Sequence, residues 1–306
     1  MYDLIIIGGG PGGAAAGIYA ARKAIKTAII YDSFGGQSLV SADIQNWIGT
    51  KSISGFEFGK MLEEHLRAQG DAIEICDSDL VSKVSSVKGG FQIETKKGKI
   101  FETKTVLVVS GSRRRKLGVP GEERLDGKGV VYCSTCDAPI FKNKKVAVVG
   151  GGNAGLEAVL DLLPYASEIH LLEYTDVLKG DAVTQAKVKL SPKVKVIFGA
   201  LTKEILGDKF VSSLKYEDRG TGAIRELKVE GVFIEIGSIP NADFVSGLVE
   251  INKFGEIVVD PLTERSSREG IWAAGDVTNE PYKQNNIAAG DAIKAVLNIY
   301  EYLNKT

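Results

Sequence analysis

A chain of 306 residues, 44% hydrophobic and 25% charged, has room for two domains with filled cores. Its formal net charge of −1 offers no basic field to nucleic acid or anionic lipid, and its longest apolar runs, such as Leu4–Ile7 and Val106–Val109, have the length of buried strands, far short of a membrane span. Three cysteines cannot staple so long a chain, and no basic leader precedes an apolar stretch, so a reducing, cytoplasmic setting with no nucleic-acid or membrane partner is expected.

In chain order, residues 3–7 read as a fully buried strand, followed by a glycine turn and an Ala-rich helix from about Gly12 to Arg22. A second strand, Thr27 to Tyr31, ends at Asp32 and completes a βαβ opening. The alternating segment Ala72–Cys76 places Cys76 in a strand, where a free thiol packs as a small hydrophobe. Residues 143–175 repeat the opening: Lys145–Val149 as strand, Gly150–Gly155 as turn, Leu156–Leu163 as helix and Glu168–Leu172 as strand. Near the end, Gly270–Asp276 is a short apolar strand closing in Gly-Asp. A helical pattern from about Gln284 to Leu303 follows, with Ile287, Ala288, Ala292, Ile293, Val296, Leu297 and Tyr300 on one buried face. If this last segment completes the first domain, the second is an insertion, with crossovers near Ser112–Lys116 and Ile239–Ala242 and with Arg113-Arg114-Arg115 as a solvated linker face, phosphate contact being the other reading. The expected fold is therefore α/β, two Rossmann-like, three-layer ββα nucleotide-binding domains. Residues 115–240 are inserted into a domain built from 1–114 and 241–306.

Two glycine fingerprints, Gly8-x-Gly10-x-x-Gly13 and Gly150-x-Gly152-x-x-Gly155, each follow a strand and open a helix. Their glycines allow a tight turn, close approach of a pyrophosphate and close helix–strand packing, and the helix N-terminus offers free N–H groups to the phosphates. Each is followed, about 20 residues on, by an acid at a strand end, Asp32 and Glu173, placed to accept ribose hydroxyls. A carboxylate at Glu173 repels a 2′-phosphate, and Lys179 is the one cation in that stretch, which favours NADH over NADPH. Between the fingerprints stands Cys133-Ser134-Thr135-Cys136-Asp137. The spacing suits redox or metal chemistry. Half a zinc site would need two more ligands from Cys76, His65 and His170, none at finger-like spacing, and two unrelated buried thiols are the other plain reading. A close pair can form a reversible disulfide, with Asp137 beside it to hold or deliver a proton.

With these pieces the chain resembles the low-molecular-weight thioredoxin reductase family, the class II FAD-dependent pyridine nucleotide-disulfide oxidoreductases. The resemblance runs through Ile5-Ile-Ile-Gly8-Gly-Gly-Pro-Gly12, Gly35-Gly36-Gln37, Gln45-Asn46-Trp47, Tyr132-Cys-Ser-Thr-Cys-Asp137, Val146-Ala-Val-Val-Gly-Gly-Gly-Asn153, Ile236-Gly237-x-x-Pro240-Asn241 and Ala274-Gly275-Asp276. It implies FAD at Gly8, Gly10, Pro11, Gly13, Asp32, Gly36, Gln37, Asn46, Gly111, Gly275, Asp276, Gln284 and Ile287. It implies a nicotinamide nucleotide, NADH or NADPH, at Gly150, Gly152, Asn153, Ala154, Glu173 and Lys179. It further implies that Cys136 is the thiol nearer the flavin, Cys133 the thiol that attacks a thioredoxin-like or glutaredoxin-like protein disulfide, and Asp137 the acid. A homodimer and a large rotation of the inserted domain are implied too. The family's usual NADPH reader, a His-Arg-Arg motif with a further Arg, is replaced by Glu173, Tyr174, Thr175 and Lys179. That stretch and Pro281-Tyr-Lys-Gln284 look more like the flavoprotein component of alkyl hydroperoxide reductase without its N-terminal region, so the carrier such an enzyme needs is expected on a separate protein. Two other classes remain open at the sequence level. One is a flavin reductase or oxidase with an idle dithiol, the other a flavin-bearing scaffold or redox sensor.

Overall fold

The computed structural model describes residues 1–41 and 44–305. Strand β1 (Tyr2–Ile7) is apolar on both faces, and Leu4, Ile5 and Ile6 have no exposed surface, as a central parallel strand requires. Helix α1 (Pro11–Arg22) starts at once, with Pro11 in the first turn where no N–H is needed. Strand β2 (Thr27–Ile30) returns parallel to β1. Helix α2 (Gly55–Arg67) begins on a reciprocal capping box between Ser54 and Glu57, and β3 (Ile73–Cys76) adds a further parallel strand in which Cys76 is buried and free. Strands β4 (Val81–Val87) and β5 (Gly90–Thr95) form an antiparallel pair that runs on to the long β6 (Ile100–Val108). The first half of β6 pairs antiparallel with β5 and its second half parallel with β1. A short strand, β7 (Ser112–Arg114), leads out of this unit.

The next unit opens on β8 (Val130–Val131) and the single turn α3 (Ser134–Asp137). Then come β9 (Lys145–Val149), α4 (Asn153–Leu162), β10 (Glu168–Leu172), α5 (Ala182–Leu190) and β11 (Val194–Ile197). An antiparallel layer of β12 (Ala200–Gly207), β13 (Val211–Asp218) and β14 (Ile224–Lys228) precedes β15 (Gly231–Ile234). The parallel sheet runs β11-β10-β9-β15-β8. The chain leaves through β16 (Ser238–Pro240), which pairs with β7. It then adds β17 (Ile271–Ala273) parallel to the second half of β6 and ends in α6 (Asn285–Leu303). Contacts divide the chain into Met1–Arg113 with Ile239–Thr306 and, separately, Arg114–Ser238. The first unit is thus two stretches of chain on one sheet, closed by α1, α2 and α6.

Most sequence-based strand and helix bounds lie within a residue or two of these. Helix α4 starts three residues earlier than expected, because Gly152 is its N-cap. The buried face of α6 also needs correcting. Its fully buried positions are Ala292, Ala295, Val296 and Ile299, whereas Leu297 and Tyr300 remain 38% and 37% exposed. The small alanines let α6 lie close to α1, and Tyr300, one step round the helix, carries the Lys23 ammonium 4.8 Å from its ring centre instead. Burial of Val296 and Ile299 contributes about 1.5–3 kcal/mol each. Of the three linker arginines, Arg113 and Arg115 are exposed and Arg114 is half-buried.

Candidate functional site

The two glycine turns are built alike. Gly8 and Gly150 have φ of 127° and 120°, which favours glycine, and a Cβ on either would stand 2.3 or 2.4 Å from the carbonyl oxygen of Val109 or Glu235. A Cβ on Gly13 or Gly155 would stand 2.0 or 1.7 Å from the carbonyl oxygen of Gly8 or Gly150, so the third glycine holds the helix against its own turn. The middle glycines, Gly10 and Gly152, face open space with nothing within 4 Å. Each is the N-cap of its helix and supplies no side-chain cap, so the first N–H groups of α1 and α4 point into the space above. A dinucleotide pyrophosphate fits such a cradle at both turns.

In the first unit the turn opens on a cavity of about 630 Å³ lined by Gly8, Gly10, Pro11, Asp32, Gly36, Gln37, Gly111, Gly275 and Asp276. Gly13 lies beneath the turn rather than on the lining. Asn46 and Gln284 pair with each other, Nδ2 to Oε1 at 3.2 Å, away from the lining, and Ile287 sits in the first turn of α6, also off it. Sequence reading missed Asp79, which is buried, lines the cavity and accepts the N–H groups of Leu80 and Lys97.

In the second unit a cavity of about 550 Å³ is lined by Gly150, Gly152, Asn153, Ala154, Glu173 and Lys179. Glu173 is 6% exposed and much of its acceptor capacity is used within the protein. Oε2 accepts the Gly151 N–H at 2.7 Å, while Oε1 accepts the Thr175 N–H at 2.8 Å and the Thr175 hydroxyl at 2.7 Å. It holds the glycine turn in shape and has one oxygen with spare capacity toward the cavity. Asn153 Oδ1 accepts the Asp181 N–H at 2.8 Å. A cation that local sequence does not reveal is also present: Arg219 stacks 4.1 Å from the Tyr174 ring centre and donates to the Tyr174 carbonyl at 3.0 Å.

The dithiol is in this same unit. Cys133 follows β8 and Tyr132, whose hydroxyl donates to the buried Glu122 at 2.9 Å and fixes the entry to the turn. Cys133 and Cys136 form a disulfide across α3, with Cα atoms 5.4 Å apart, and Cys133 O accepts the Asp137 N–H at 3.1 Å. Asp137 is buried at 6% exposure. Glu235, at the end of β15, lines the nucleotide cavity and accepts the Ser134 N–H. Burial pushes its carboxyl up to about 7 against the opposing pull of the Arg114 guanidinium and the Ser134 N–H, and Asp161 and Glu157 add to the push. A carboxyl at the C-terminal end of a parallel strand, next to a glycine turn, was the signal available for Glu235.

Two nucleotide cradles and a disulfide are what a pyridine nucleotide-disulphide oxidoreductase contains, and the model of that family matches residues 2–292. The chain belongs to this family. The F component of alkyl hydroperoxide reductase from Pseudomonas aeruginosa is 42% identical over 309 residues, covering 100% of this chain and 59% of that protein. A protein named NADH dehydrogenase from Bacillus subtilis is 40% identical over 302 residues, covering 99% of this chain and 58% of its own. The chain thus spans somewhat over half the length of these family members. Among solved structures, thioredoxin reductase from Streptococcus pyogenes superposes with a TM-score of 0.91 at 34% identity, covering 100% of this chain and 99% of the other. The α/β fold of paired Rossmann-like domains expected from sequence is the fold of this structural neighbour. Among the described residues no helix is long and apolar enough to cross a membrane.

Proposed function

We propose that the protein is a flavoprotein disulfide reductase that passes electrons from NADH or NADPH, through FAD held by Met1–Arg113 and Ile239–Thr306, to the Cys133–Cys136 disulfide and on to a thioredoxin-like or glutaredoxin-like protein disulfide. The observation that carries this is a disulfide formed within the same unit as the second glycine turn. FAD, when bound, supplies the hydride-accepting chemistry that links a nicotinamide to sulfur. The chain's own residues do the rest. Reduction of the Cys133–Cys136 bond takes up two electrons and two protons and yields two thiols. The Cys133 thiolate attacks one sulfur of the partner's disulfide, and the other sulfur leaves as a thiolate. The Cys136 thiolate then attacks the mixed disulfide at Cys133, which restores the Cys133–Cys136 bond and releases the partner as a dithiol. Asp137, buried and next to Cys136 in the chain, hands protons to the departing thiolates in this reading. A homodimer acting in the cytoplasm belongs to the same proposal.

Glu173 without an arginine pair supports NADH as the donor, and the relatives named for alkyl hydroperoxide reductase support a peroxide-linked carrier as the acceptor. Steady-state reduction of thioredoxin-like and glutaredoxin-like disulfides tests the reading. Replacing Cys133 or Cys136 by Ser should abolish this reduction while flavin stays bound. NADH oxidation that continues unchanged in the double variant, with no protein disulfide reduced, would assign the protein to direct reduction of small molecules or oxygen.

A further inference from the structure

The two residues between the cysteines both carry hydroxyls, and both hydroxyls end on the same oxygen. Ser134 Oγ donates to Asp161 Oδ2 at 2.8 Å and Thr135 Oγ1 donates to it at 3.1 Å. Asp161 lies in the last turn of α4, the helix that begins at the second glycine turn. Two hydroxyl donors committed to a carboxylate are withheld from any sulfur anion in the same four-residue turn. The carboxylate also sets a negative charge one hydrogen bond from the two residues between the sulfurs, and a like charge disfavours a thiolate. Glu235, at the end of β15, accepts the Ser134 N–H of the same turn and is itself surrounded by Asp161 and Glu157 from α4 and by Arg114 from β7, while Asp137 closes α3, so carboxyls outnumber the guanidinium.

We propose that Asp161 is a positioning residue of the dithiol, which holds the turn through Ser134 and Thr135 and raises the pH at which the reduced Cys133 forms its attacking thiolate. A reduced enzyme poised in this way is slow to react with adventitious oxidants and disulfides. The proposal rests on Cys133–Cys136 being the redox pair, yet its test needs no flavin, nucleotide or partner. The full-length chain carrying Cys136→Ser is reduced chemically, and the rate of Cys133 alkylation by iodoacetamide is followed against pH. The site is identified by mass spectrometry, so that the buried Cys76 is not counted.

Adding Asp161→Asn keeps an oxygen that can accept both hydroxyls and removes only the charge. The midpoint of the pH profile should fall by about one unit and alkylation near pH 7 should quicken up to about tenfold. Asp161→Ala, which also frees the hydroxyls, should be at least as fast. Rescue of turn geometry by Asn with no movement of the midpoint would show a packing role and overturn the proposal, as would slower alkylation in either variant. A shifted midpoint in a chain that fails to reduce any protein disulfide would uphold Asp161 and count against the enzymatic reading.

Discussion

Glu173 has two roles that pull on the same atoms. Its carboxylate ties Gly151 and Thr175 together, and only what remains is available to a ribose. Glu173→Gln would turn an NH₂ against one of those N–H donors, at a cost of about 1–3 kcal/mol. The KM for NADH should rise about tenfold or more in stopped-flow reduction while flavin content stays the same. A normal KM would show that Glu173 has no part in shaping the nucleotide site. Glu235 gives a pH signature. The native chain holds its proton up to about pH 7, whereas an unfolded chain releases it near the ordinary value of 4.5, so the native state binds more protons between these limits. Stability should therefore fall as pH rises from about 4.5 to about 7, by on the order of 3 kcal/mol from this group, and Glu235→Gln should flatten that slope in urea unfolding. The glycines and cysteines were legible because their chemistry is local. Asp161 and Arg219 were not, since Asp161 meets the dithiol turn only after α4 has met α3, and Arg219 meets Tyr174, which lines the second cavity, only after the β13–β14 turn has folded back.

At the level of elements, the repeated strand–glycine–helix unit was readable because both ends of each element are marked by glycine and by a run of buried aliphatics. The register of β10 on β9, Leu172 opposite Val149, then brings Glu173 beside the glycine turn. The antiparallel layer of β12–β14 had no comparable marker: β14 has hardly any buried residue, so its apolar pattern is weak. Helix α6 was placed to within a residue, but its face was misjudged by a step round the helix, and Ala295 and Ile299 are buried in place of the expected Leu297 and Tyr300. The third glycine of the second turn tests the division of labour. Gly155→Ala would push a methyl group into Gly150 O and cost about 1–3 kcal/mol in the second unit. The purified variant should keep its yellow colour and lose bleaching by NADH. Loss of colour would mean that the flavin does not depend on the first unit alone.

For the whole molecule, each unit has its own sheet and its own buried clusters, and the first is completed only when the chain returns with β17 and α6. In the sequence, Gly275-Asp276 and the terminal helix point to crossovers after residues 114 and 240, and the contacts divide the chain after Arg113 and Ser238. Cys133–Cys136 should receive its electrons by way of the flavin, and an anaerobic titration of the flavin-loaded protein with NADH decides whether it does. Flavin absorbance and the count of free thiols are followed together. The wild-type chain should consume about twice as much NADH per flavin as Cys133→Ser/Cys136→Ser and gain two thiols as it does so. Equal consumption by both chains, with the disulfide intact after the flavin is bleached, would mean that the flavin does not serve the disulfide.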